Sequence, residues 1–415
     1  MDFTNSTQLF GLEHVYWQLP LVTYPFLSGL VAGSFIVGSL SDVFGLKKFA
    51  PLSKLAIILT FAFLIGAALS PLSEAWHRER FWELIFRSHF PYSPLGLFII
   101  IWALYLILVV TEMYFIFRSD NIYLAEHARG WRRSWCNLLT LGSRDISEHS
   151  LKRDHAVLAI LAATGIALAF AFHGYVGFVF GALKSRPLWS TPLMPVLFLV
   201  SAIVSGIAAM IVAYTIVQGG LGEDPLDTGI MDGLMKLLKW GIFVDLFLDL
   251  IELLTSGVRA YAPGPVYQGF SAIFFTGGPL AFNYWVMQLG LLIVALVMTF
   301  FRPFRESKTW PNVTAILVLV SVYAMRYNTV IGGELQPKVS QGLVAYAPDW
   351  VGIDSWQVII GLFALVVFLV GLGLLLLPWE RSWVASWADN RLGAREDDHG
   401  TSGYSAPMTE KGVKS

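Results

Sequence analysis

Asp245, Asp249 and Glu252 stand four and then three residues apart within an otherwise apolar stretch. In a helix this spacing puts all three carboxylates on one face, over about 10 Å of helix length. Acids grouped in this way can hand protons to one another, as a relay or as the wall of a polar cavity. The plainer alternative is a helix end facing water, with the acids solvated or paired to Arg259 or Arg326. A second candidate is His173, the one histidine of eight that falls clearly inside an apolar stretch. A neutral imidazole there suits hydrogen bonding and proton exchange with a quinone carbonyl. It suits a histidine satisfied within a helix bundle equally well. A b-type haem would need a second axial histidine at similar depth. His155 is about 18 residues away along the same helix, roughly 27 Å at helical rise, so the two cannot share a haem. His14 before the first span could reach His173, yet no haem is expected in this chain.

Titratable and aromatic residues also gather near the starts and ends of apolar stretches. Glu13, His14, Trp17, Gln18 and Tyr24 precede or open the first stretch, and Glu74, His77 and Arg78 follow the second. Together they form a rim, for which an aromatic belt at a lipid interface is the structural explanation. At the other end Asp42, Glu112 and Asp154 are candidates for proton entry. Glu112 is the deepest, whereas Asp42 and Asp154 read as helix-end residues.

The elements that position these residues follow from composition. Of the 415 residues, 56% are apolar and 14% are charged. A soluble domain carries about 25% charged residues, so too little charge is present to cover a soluble surface of this size. The 28 Lys and Arg nearly cancel the 29 Asp and Glu, which leaves no basic field for nucleic acid. The composition predicts an all-α polytopic membrane protein. Spans are expected at 19–40, 52–72, 95–117, 156–180, 192–217, 233–254, 279–301, 312–331 and 356–378, each close to the ~20 residues that cross a bilayer.

With the N-terminus outside, 20 of the 28 cations fall on the inner side and 8 on the outer. That asymmetry predicts a cytoplasmic C-terminus. The basic stretch from Arg118 to Arg153, with Trp131 and Trp135 among its arginines, reads as a loop with a surface helix at the headgroups. The polar tail 384–415 reads as a disordered cytoplasmic extension. Cys136 is the single cysteine, which leaves no thiolate set for an Fe–S cluster and no C-x-x-C-H haem motif.

A weak internal repeat relates the first span to the fifth. Trp17 precedes Ser28 and Gly29 as Trp189 precedes Ser201 and Ala202, and small residues recur four apart at Gly29 and Gly33, then at Ser201 and Ser205. Such spacing lets helix backbones approach closely in lipid. The parallel sense of the repeat predicts two four-helix bundles, 19–180 and 181–331. A short outer segment 1–18 precedes them, and an outer loop with a ninth helix, 332–383, follows.

Four motifs in order carry a family resemblance: Trp17, Tyr24, Gly29 and Gly33 in the first span; ERFWELIFRSHFPYSPLG after the second; PLMPVLFLVSAIVSGIA in the fifth; and RYNTVIGG ending the eighth. With them the chain resembles the NrfD/PsrC-type membrane subunits of polysulfide-reductase-like complexes. The resemblance implies a quinone site near the outer face of the first bundle. It also implies an outer Fe–S subunit, with molybdopterin or multihaem cytochrome subunits beyond it. Some members place a quinone-contacting histidine where this chain has Tyr24, and Glu334 follows the glycines where many relatives have Gln.

The sequence therefore predicts a quinone-reactive subunit of a respiratory complex in the bacterial inner membrane, using menaquinone or ubiquinone and holding no metal. Tyr24, Trp17, Gln18, His173 and Arg78 are expected to bind the quinone. His14, Glu74 and His77 are expected to exchange its protons with His173 and Tyr24. Asp245, Asp249, Glu252, Glu112 and Arg326 are expected to line a proton path. The competing class is a secondary transporter, which intramembrane acids and a repeat would also suit. A structural anchor without a quinone site is the third.

Overall fold

The computed structural model describes residues 14–380 apart from 76, 88–91, 223–224, 263, 276 and 339–341. Glu13 and the tail 384–415 lie outside the described residues. Those described form helices and connecting turns with no strand. The main helices are α1 (Leu19–Gly38), α2 (Ser53–Glu74), α3 (Pro94–His127), α4 (Gly130–Leu139), α5 (Glu148–Gly181), α6 (Met194–Gly220), α7 (Thr228–Gly257), α8 (Pro265–Phe274), α9 (Leu291–Phe300), α10 (Trp310–Leu335) and α11 (Trp356–Leu376). A π-helical segment, Asn283–Gly290, leads directly into α9.

Among the described residues, eight helical segments are long and apolar enough to cross a membrane: α1, α2, α3, α5, α6, the π segment with α9, α10 and α11. The expected sixth span is α7, a 30-residue helix packed against α6 and α9. Its length suffices, but Asp245, Asp249, Glu252 and two lysines make it more polar than its neighbours.

Local chemistry sets several boundaries. Ser93 caps α3 by accepting from the Gly96 N–H at 3.2 Å, and Pro94 occupies the first turn, where its missing N–H costs nothing. Asp227 caps α7 through the N–H groups of Gly229 (2.7 Å) and Ile230 (3.4 Å). The N-terminus of α1 has no side-chain cap of its own. Its donors are satisfied from α2, where Glu74 accepts from the N–H groups of Gln18 (3.0 Å) and Leu21 (3.2 Å).

Two helices run past their expected limits. α3 continues to His127 and α5 begins at Glu148, so Arg118 and Asp154 lie within helices. Arg118 is buried and donates to the Asp154 carboxylate, to Ser143 Oγ at 2.7 Å and to Ser150 Oγ at 3.2 Å. Paired inside the protein, these polar groups let both helices extend beyond their apolar cores. Of the expected basic loop, the part that forms a separate surface helix is α4.

The connections define two ends of the bundle. An aromatic end carries Trp17, His77 and Trp189, and a basic end carries Lys47, Lys48, α4 and Arg302. Between them α1 and α6 cross in direct backbone contact. A Cβ on Gly33 would stand 2.6 Å from Gly206 Cα, so only glycine fits there. Small residues of the first and fifth expected spans thus face each other, and Trp17 stacks on Trp189 at 5.1 Å between ring centroids.

Candidate functional site: a buried histidine–arginine junction

His173 and Arg326 are each fully buried, one on α5 and the other on α10. Arg326 Nη2 lies 3.3 Å from His173 Nε2. The same nitrogen donates to Ser201 Oγ at 2.5 Å and to the Phe198 carbonyl at 3.2 Å. The guanidinium also lies 4.0 Å from the centre of the Phe198 ring, a cation–π contact. A guanidinium has donors and no acceptor, so His173 Nε2 must accept. The imidazole is then neutral with its proton on Nδ1, which faces Ser28 Oγ at 3.2 Å.

Both ring nitrogens are therefore engaged, and Gly29 leaves no slack around the ring: a Cβ there would stand 3.3 Å from His173 Cε1. The free polar groups lie to either side. Arg326 Nε and Nη1 are buried without a hydrogen-bond partner among the described residues. One helical turn from Ser28, on the same face of α1, stands Tyr24. Its half-buried ring meets Phe98 edge-on at 5.6 Å, and Phe98 in turn stacks on Phe172.

On the other side of Arg326, α7 brings Asp245 and Asp249 into the interior, both buried. The π segment supplies Gln288, whose Nε2 donates to Asp249 Oδ1 at 3.3 Å. Gln288 Oε1 accepts from Asn328 Nδ2 at 2.8 Å, and Asn328 Oδ1 accepts from Asn283 Nδ2 at 2.7 Å. The wider π turn aims Asn283, Tyr284 and Gln288 inward, a geometry often found at functional sites. Asp245 Oδ1 has no partner among the described residues. Half-buried Glu252 lines a cavity of about 30 Å³ with Gln288, Asn328 and Tyr284, room for a water molecule or two. The polar chain so formed leads from Asp249 toward the aromatic end.

The other sequence candidates fall elsewhere. Glu74 is the remote cap of α1, with both carboxylate oxygens used. His77 is exposed and pairs with Glu79 at 3.1 Å. Arg78 donates to the Ser73 carbonyl at 2.5 Å, and His14 is exposed. Trp17 is built into the aromatic stack, while Gln18 donates to the Val15 carbonyl at 3.3 Å. Glu334 receives Arg186 at 3.0 Å and the Tyr16 N–H at 3.2 Å. Glu112 on α3 is buried with Oε2 unpartnered, two turns from the equally orphaned Tyr105 hydroxyl.

Several residues of the junction escape a sequence reading: Ser28 and Ser201 as hydrogen-bond partners, and Phe198, Gln288 and Asn283, whereas Asn328 stands in the motif RYNTVIGG but without a role. The two serines stood out only as small residues of the repeat, where their hydroxyls gave no separate signal.

Fold and site define a polytopic α-helical membrane protein with a polar junction sealed between its helices. The chain belongs to the NrfD polysulphide reductase family, whose model matches residues 7–338. It is 29% identical to a selenate reductase subunit of Mesobacillus selenatarsenatis, over 87% of this sequence and 85% of that one. To a polysulfide reductase component of Wolinella succinogenes it is 25% identical, over 77% and 95% of the two sequences. To an Hdr-like menaquinol oxidoreductase integral membrane subunit of Archaeoglobus fulgidus it is 23% identical, over 90% and 88%. The family places this protein among the integral membrane subunits of oxidoreductase complexes.

Proposed function

We propose that the chain exchanges electrons between a membrane quinone and an Fe–S partner subunit docked on its aromatic end, as part of a respiratory complex. The observation that carries this reading is the sealed junction of a neutral imidazole and an arginine beside the free edge of Tyr24. Tyr24 Oη has no hydrogen-bond partner among the described residues, so the donor set suits a quinone carbonyl. A quinone supplies two-electron, two-proton redox chemistry. Tyr24 would hold the carbonyl, with Trp17, Gln18 and Arg78 toward the rim. His173 acts one turn deeper, through Ser28, because its own nitrogens are already engaged. The menaquinol named for the archaeal relative supports menaquinone, with ubiquinone the other candidate.

In this proposal the bundle 19–180 holds the quinone. The bundle 181–331 moves protons along Asp245, Asp249 and Glu252 past Arg326, and Glu112 serves the basic end. The loop at the aromatic end supports a docking role, since it exposes Phe81, Trp82, Phe86 and Tyr92 beside Arg80 and Arg87. Molybdopterin or multihaem subunits would lie beyond the Fe–S partner. The cation asymmetry supports a basic end in the cytoplasm of a bacterial inner membrane.

The test is to purify the protein with its natural partners, extract the quinone and titrate quinol oxidation in Tyr24→Phe and in wild type. Co-purified quinone and a KM raised about tenfold in Tyr24→Phe are expected, the loss of one good hydrogen bond. A protein that emerges alone, without quinone and without Fe–S or haem absorbance in any partner, would favour the transporter instead.

A further inference from the structure

The basic end holds a second built feature that the electron-transfer reading does not use. A cavity of about 200 Å³ lies between the end of α3, the surface helix α4 and the turn leading toward α5. Its walls carry Arg133, Arg144, Ser134, Asn137 and Ser143, with Glu126 as the one carboxylate among the described residues. Neither arginine has an ion-pair or hydrogen-bond partner among the described residues, in contrast to nearby Arg118.

The frame of this cavity is fixed at three points. Trp135 Nε1 donates to the Leu376 carbonyl at 3.1 Å, which ties α4 to the last residue of α11. Tyr114 Oη donates to the Thr140 carbonyl at 3.4 Å, and Arg118 donates to Ser143 Oγ and to the Asp145 carbonyl at 2.7 and 2.9 Å. Between these anchors the chain reverses at Leu141 and Gly142, with φ of 49° and 81°. Leu141 is the one non-glycine residue with positive φ among those described. That conformation is costly for a residue with a Cβ, and it swings Ser143 and Arg144 back toward α4. The strained leucine is itself 78% exposed, and Trp131 and Leu138, which share a face of α4, are exposed as well.

We propose that this cavity binds the phosphate of an anionic phospholipid. Arg133 and Arg144 supply the charge, Ser134, Asn137 and Ser143 supply hydrogen bonds, and Trp131, Leu138 and Leu141 enter the acyl region. The depth fits, because the anchor at Leu376 sets α4 level with the end of a membrane span, where headgroup phosphates lie. Free phosphate shares the headgroup's chemistry. The exposed apolar flank is what favours the lipid, since an inorganic ion would make no use of it.

Native mass spectrometry on the full-length protein in detergent tests the assignment, with phosphatidylglycerol, phosphatidylcholine and inorganic phosphate as probes. Wild type is expected to retain phosphatidylglycerol in preference to phosphatidylcholine, with millimolar phosphate failing to displace it. The double variant Arg133→Ala, Arg144→Ala is expected to bind phosphatidylglycerol about 30-fold more weakly, with phosphatidylcholine unchanged. Glu126→Gln, which removes the opposing carboxylate, is expected to tighten phosphatidylglycerol binding, a gain that misfolding cannot produce. Equal retention of the two lipids, a double variant that binds like wild type, or displacement by millimolar phosphate would each overturn the lipid site.

Discussion

Arg326 and His173 are 153 residues apart in the sequence and 3.3 Å apart in the protein. The contact joins α5 to α10, and through Ser28 and Ser201 it reaches the two central helices as well. One guanidinium therefore satisfies acceptors from two other helices, α5 and α6.

This arrangement makes Arg326→Lys a severe change. All three acceptors converge on the one nitrogen Nη2, so what lysine loses is the reach of the longer side chain and the planar group that stacks on Phe198. We expect a stability loss of about 3 kcal/mol from the unsatisfied buried acceptors. Quinol-linked turnover should fall by about 100-fold, a separate loss of ~2.7 kcal/mol in transition-state stabilisation. Thermal unfolding in detergent and a steady-state quinol assay check the two effects. Near-normal values of both would show that the junction is incidental.

The crossing of α1 and α6 separates glycines that are needed from glycines that are not. At Gly33 and Gly206 an added Cβ would meet backbone of the facing helix, which cannot give way as a side chain could. Gly33→Ala and Gly206→Ala should each cost about 2 kcal/mol. At Gly174 nothing lies within 4 Å of an added Cβ, so Gly174→Ala should be neutral or stabilise by up to about 1 kcal/mol. Unfolding midpoints of the three variants, measured side by side, decide the matter.

Asp249 and Gln288 predict a different kind of effect. Asp249→Asn keeps the shape and a hydrogen-bond partner for Gln288 but abolishes proton transfer at that position. Together with Asp245→Asn it should lower the number of protons moved per quinone in proteoliposomes, while electron transfer stays within about threefold of wild type. An unchanged proton yield per quinone would end the proposal that α7 conducts protons.

Glu74 is expected to matter for stability and hardly at all for proton exchange. Its carboxylate replaces the missing cap of α1, so Glu74→Ala should cost about 1 kcal/mol, and Glu74→Gln, which keeps an acceptor, less than half of that. Quinol kinetics should remain unchanged in Glu74→Gln. A turnover loss in Glu74→Gln without any stability loss would return Glu74 to the proton-exchange role that its position near the rim suggested.

Membrane residence, the helical architecture and the family were legible in the sequence, because each depends on short-range pattern. Apolar runs of fixed length, scarce charge and ordered motifs are properties of consecutive residues. The i, i+4, i+7 acids of α7 were legible for the same reason, and so was the oddity of a histidine inside an apolar span. The helix extensions at Arg118 and Asp154 were not, because the pairing that permits them joins residues 36 apart in sequence.

The tertiary structure alone decided which partners those rare polar residues have. Glu74 and His77 are three residues apart and both titratable candidates near the rim, yet Glu74 accepts from the backbone at the start of α1 and His77 pairs with Glu79 in solvent. Ser28 and Ser201 resemble packing residues in sequence but complete the hydrogen bonds of His173 and Arg326. The physical reason is the cost of an unsatisfied polar group away from water. That cost drives such residues to pair where the fold offers a group, and the partner comes from whichever helix lies beside them, while Asp245 Oδ1 and Glu112 Oε2 stay unpaired among the described residues. The sequence by itself determined which residues needed partners, and the packing of the helices determined which partners they obtained.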